Sequence, residues 1–104
     1  MPTVGDLVTL AIEKAQIELI DARNVLGATR VDFAYQLFLA VAARLNNEPQ
    51  YDHEPLNLAR SVFRNAQKRV DRHEYELARL TLVKEHLDSP SGETDLAKLE
   101  QDLI

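Results

Sequence analysis

Residues 31–45 read VDFAYQLFLAVAARL, and only Asp32, Gln36 and Arg44 in that run carry strongly polar side chains. No other stretch limits so sharply what the chain can fold into. The run is shorter than the roughly 20 apolar residues that a helix needs to span a bilayer. A helix that is apolar nearly all round is normally buried among other helices. The run is therefore expected to form the central staff of a small helical bundle. Within it Val31, Ala34, Phe38, Val41 and Leu45 step 3, 4, 3, 4, which marks the expected buried face.

The flanking sequence divides into further helices. Thr3 suits an N-cap. Val8, Ile12, Ala15, Leu19, Ala22 and Leu26 then share one face, which Leu10, Ile17 and Ile20 widen toward a second neighbour. Gly27 is placed to close this helix at about residue 26, and Thr29 to cap the next, 30–46, which Pro49 follows. After a loop at 46–55, the apolar positions Leu56, Ala59, Phe63, Ala66, Val70, His73, Leu77, Leu80 and Leu87 hold one register. One continuous helix over that span would be about 48 Å long, more than a bundle of 16- to 24-residue helices accommodates. Asp71 with Glu74 offers a capping box instead, so a break near 70–73 is favoured, giving helices 55–70 and 72–87. Asp88, Ser89, Pro90, Ser91 and Gly92 form a stop. Beyond them Leu96, Leu99 and Leu103 line one side of a short terminal helix. The expected architecture is all-α: an antiparallel four-helix bundle over 1–90, with a C-terminal amphipathic helix in 91–104.

Composition narrows the chemistry. At 104 residues, with 45% hydrophobic and 28% charged side chains, the chain suits one soluble domain. It has no cysteine, hence no disulfide, thiolate metal site or cysteine nucleophile. The first residues read as neither a signal peptide nor a membrane anchor, so a cytoplasmic location is expected, peripheral to a membrane at most. The net charge of −5 is unevenly spread. Residues 57–72 hold Arg60, Arg64, Lys68, Arg69 and Arg72 against Asp71 alone, between two acidic segments.

Arg60, Arg64, Lys68 and Arg72 recur every four residues, and like charges at that spacing cost a helix about 0.2–0.5 kcal/mol per pair. The stripe either meets acidic groups on a partner or is neutralised by Glu13 and Asp21 of the first helix or by the acidic tail. His53, His73 and His86 each have an acid beside them, but no HExxH or ExxH pattern occurs, so no metal site and no cofactor are expected. Ser61, Ser89 and Ser91 sit in no nucleophile elbow, and no phosphate-binding glycine loop exists, so no catalytic residue is assigned. A helix-turn-helix is disfavoured because Glu74 and Glu76 open its would-be recognition helix and repel phosphate.

Residues 44–87 carry a resemblance. Ala43-Arg44-Leu45-Asn46 closes a helix, Tyr51-Asp52 sits in a polar loop, Pro55-Leu56-Asn57-Leu58-Ala59 opens the next helix, and Glu74-Tyr75-Glu76-Leu77-Ala78-Arg79-Leu80 opens another. In these features the chain resembles the immunity proteins that guard lactic acid bacteria against their own pediocin-like (class IIa) bacteriocins. The resemblance implies a cytosolic, non-catalytic antiparallel four-helix bundle. It implies a protein partner too: contact at the inner side of the membrane sugar-permease receptor that the bacteriocin targets. Specificity in that family lies in the C-terminal half, which by position adds Tyr75 and Arg79 to the basic stripe and includes the tail after Pro90. The alternative is a small helical regulator or assembly adaptor, homodimeric in one form, with Leu96, Leu99 and Leu103 as its partner-binding strip. Nucleic-acid binding stands a distant third.

Overall fold

A computed structural model describes residues 3–88 and Glu100. Thr3 begins the first helix as its sequence suggests. Its hydroxyl accepts the Asp6 amide at 3.2 Å, and the Asp6 carboxylate accepts the Thr3 amide at 3.1 Å, a reciprocal capping box. From this start α1 runs unbroken over Val4–Leu45, 42 residues or about 63 Å.

The expected stop at Gly27 and restart at Thr29 are not there. No glycine among the described residues has a positive φ, and the Thr29 hydroxyl donates to the Leu26 carbonyl at 2.9 Å instead of capping a new helix. The reason lies in the register. The step that begins at Val8 continues past Leu26 through Thr29, Phe33, Gln36, Ala40 and Ala43 without slipping, and each of these residues is buried or half-buried. A helical glycine costs only about 1 kcal/mol relative to alanine. The packing gained along an uninterrupted seam outweighs it.

α1 ends where the seam ends. Asn47 takes the left-handed conformation at φ 54°. The Glu48 amide donates to the Ala43 carbonyl and the Asn47 amide to the Arg44 carbonyl, the paired bonds of a Schellman cap. Asp52 accepts the Glu54 amide at 2.9 Å, and α2 begins there, spanning Glu54–Asp88. α2 too is continuous. Val70 is buried in mid-helix, and the Glu74 side chain reaches across to Arg23 instead of capping a helix start. The length objection to a single second helix fails because α1, which it lies against, is longer still.

Over the described residues the chain is thus all-α but is not a four-helix bundle: it forms an antiparallel hairpin of two long helices, α1 and α2. It measures 69 × 22 × 21 Å, with a radius of gyration of 22.1 Å where a compact domain of this length has about 13 Å. The terminal helix expected in 91–104 lies, apart from the helical Glu100, outside the described residues.

The helices meet along one stripe each. On α2 the stripe is Leu56, Ala59, Phe63, Ala66, Val70, His73, Leu77, Leu80, Lys84 and Leu87, none of them exposed. The 3-4 spacing on both helices is that of a coiled coil. Ala15, Leu19 and Ala22 of α1 and Leu56, Ala59, Ala66 and Val70 of α2 are among the most buried residues. Four of these seven are alanine, and small side chains at a seam let two helices approach closely. Nearer the turn, Phe33 and Phe63 stack with ring centroids 5.5 Å apart. The face expected to be buried in residues 31–45 points the other way: Val31 is 70% exposed, Phe38 65% and Leu45 77%.

The helical state of Gly27 is directly testable. A Cβ built there meets nothing within 4 Å. Gly27→Ala should therefore raise the stability of the single hairpin by about 0.5–1 kcal/mol in a urea titration at a protein concentration low enough to be monomeric. A helix ending at Gly27 in a left-handed conformation would give a loss instead.

Candidate interaction surface

α1 has two apolar faces and α2 covers one. On the uncovered face Leu10, Ile17, Val31, Phe38 and Leu45 recur at multiples of seven, with Asn24 filling the one gap. Ile20, Ala34 and Val41 lie between them, and all of these side chains are exposed. Large contiguous apolar patches are uncommon on soluble monomers and usually mark contact sites. At the turn end the stripe runs into an open groove of about 600 Å³, where Leu37 and Val41 face Tyr51 and His53 of the loop. The Tyr51 and His53 rings meet edge to face at 5.0 Å.

The basic residues singled out in the sequence do not form a straight stripe. Four residues turn a helix through 400°, so each successive cation moves about 40° around α2. Arg60 is half-buried beside the seam, its guanidinium 5.8 Å from the centre of the Phe33 ring, and so serves the fold. Arg64, Lys68 and Arg72 are exposed, and among the described residues no ion pair engages them. Of the acids expected to neutralise the stripe, Asp21 pairs with the neighbouring Arg69 instead, at 3.6 Å. Tyr75 is exposed with the Arg79 guanidinium over its ring at 5.4 Å. Leu96, Leu99 and Leu103 lie outside the described residues.

One polar cluster escaped sequence reasoning because it forms across the helix pair. His73 occupies a seam position, and its Nδ1 is shielded from water without a hydrogen-bond partner. It lies 3.8 Å from Glu18 Oε2, an ion pair when the imidazole is protonated. Glu76, one turn on from His73, completes a group whose ligand atoms all lie within 4.8 Å of one another. His73 and Glu76 are three apart, but Glu18 is on the other helix, so no linear motif announces the trio. Its donor set could take a divalent cation through one nitrogen and two carboxylates. Arg23, whose guanidinium donates to the Glu74 carboxylate at 3.2 Å, closes the same middle section of the hairpin.

A histidine with an unsatisfied nitrogen in an apolar seam is a cost to stability. His73→Leu, at a seam position, should raise the free energy of unfolding by about 1–2 kcal/mol, measured in urea. A loss would mean that the Glu18 contact contributes more than the desolvated nitrogen costs.

Compared with known proteins, the chain matches no protein-family model, no curated protein and no solved structure.

Proposed function

We propose that this chain is a non-catalytic helical adaptor or regulator that works by protein–protein contact, with the uncovered face of α1 as its principal binding surface. The observation that supports this most is the second apolar stripe, which repeats every seven residues and which α2 does not reach. A stripe of that spacing is complementary to another helix. The exposed cations Arg64, Lys68 and Arg72 on α2 and the Tyr75–Arg79 pair belong to the outer side of the hairpin, where they add charge selectivity. The immunity reading retains only the resemblance in its favour, since the two-helix fold removes the bundle that the resemblance implied.

Covalent hydroxyl-radical footprinting tests the reading whatever the partner is. In extract of the native cell, Leu10, Ile17, Val31, Phe38 and Leu45 should be modified several-fold less than their exposure in the isolated hairpin implies. Leu82 and Leu58 on α2 serve as exposed references. Modification of the stripe in extract to the same extent as those references would end the proposal.

A further inference from the structure

We infer that the occupant of the uncovered α1 face is α1 of a second copy of this chain, packed antiparallel about a two-fold axis close to Gly27. The inference rests on the reading of that face as a binding surface and names what fills it.

Three features of α1 support a second copy over an unrelated protein. The first is length. Positions 10, 13, 17, 20, 24, 27, 31, 34, 38, 41 and 45 keep the 3-4 step, every one is exposed, and all are apolar side chains except Glu13, Asn24 and Gly27. That seam is about 50 Å long, and only a helix of similar length matches it throughout. α1 is such a helix. The second is charge. Leaving aside Glu18, Asp21 and Arg23, which meet α2, the first half of α1 carries Asp6 and Glu13 against Lys14, and the second half carries Arg30 and Arg44 against Asp32. Antiparallel pairing sets the acidic half of each helix against the basic half of the other, whereas parallel pairing opposes like with like. A two-fold interface requires this kind of self-complementarity. The third is shape. Gly27 and Ala34 bring small residues to the middle of the seam, where the two backbones would lie closest, and the space beside Gly27 is open. At the far end, the groove beside Leu37 and Val41 lies where the partner's first turns would arrive with their exposed Leu7 and Leu10.

A bilayer is the competing occupant. α1 contains a window apolar enough to cross one, with mean hydropathy 1.3 and none of it buried. Yet α1 is about 63 Å long, twice the hydrocarbon thickness of about 30 Å. Its opposite face is held by α2, which brings Arg64, Lys68, Arg72 and several glutamates with it. The acidic first half is also a poor match for anionic headgroups. These points favour the second copy.

The full chain should run in light scattering at twice its 11.8 kDa mass. The double variant Val31→Glu, Phe38→Glu should be monomeric and keep its far-UV helical signal, because both side chains are exposed in the hairpin. The chain has no cysteine, so single introduced thiols report orientation cleanly. With a short bis-maleimide, Gly27→Cys should cross-link to itself. Leu10→Cys should cross-link only when mixed with Val41→Cys. Self-linking of Leu10→Cys would overturn the antiparallel arrangement. A dimer that survives the double substitution would place the interface elsewhere and overturn the inference. So would a wild-type monomer, including one that floats with phosphatidylcholine or phosphatidylglycerol vesicles, in which case lipid covers the face. A monomer in isolation whose stripe is still protected in cell extract would remove self-association while leaving the contact function standing. An unprotected stripe would remove both.

Discussion

The fold depends on the 3-4 seam between α1 and α2. Two helices in contact can each hide one stripe, and everything else on either surface faces outward. Here the seam runs nearly the whole length of both helices and is rich in alanine, so it is close-set and thin. No third element among the described residues thickens it. Stability is therefore spread along a line, each layer resting on its neighbours, as in other elongated helical assemblies. This also explains the continuity of α1. A break at Gly27 would have removed the layers on one side of it from the only surface that covers them.

Polar groups set the alignment of the two helices more than they add to its strength. Arg23–Glu74, Arg69–Asp21 and His73–Glu18 all bridge the middle of the hairpin. Their side chains are substantially exposed apart from His73, and such pairs contribute about 0–1 kcal/mol each. A one-residue slip would separate all three at once and would put His73 against a different layer. A single polar residue in a coiled-coil seam can specify register at a cost in stability, and His73 is placed to do so.

The two helices differ in what they leave uncovered. α2 is amphipathic in the ordinary way, apolar toward α1 and charged outside. α1 is apolar on two opposite sides, one met by α2 and one met by nothing in the hairpin. That asymmetry, rather than any cluster of reactive side chains, distinguishes the molecule. It also accounts for the unusual run at residues 31–45. This segment is apolar nearly all round because it serves two neighbours, one within the chain and one proposed beyond it.

Much of the local structure was legible in the sequence. The N-cap at Thr3, the face from Val8 to Leu26, the loop closed by Asn46 and Pro49, and the unbroken register from Leu56 to Leu87 all follow from residue type and spacing over a few turns. The reach of Leu10, Ile17 and Ile20 toward a second neighbour also follows from spacing alone. What the sequence could not decide was whether adjoining helical segments join. Gly27, Thr29, Asp71 and Glu74 are compatible with caps and with helix interiors, and the choice between them is made by packing across the hairpin. The orientation of residues 31–45 was undecidable for the same reason. Phe33 and Phe38 lie on different faces of an equally apolar helix, and only the phase inherited from Val8 through Leu26 turns Phe33 inward onto Phe63. The Glu18, His73 and Glu76 group was invisible because its members belong to two helices whose relative alignment is a property of the folded pair. Sequence determined that the chain is helical and where its turn lies, since those depend on near neighbours. Tertiary structure decided how many helices the described residues form and which apolar face stays bare, because that choice rests on contacts between residues some fifty positions apart, such as Arg23 and Glu74.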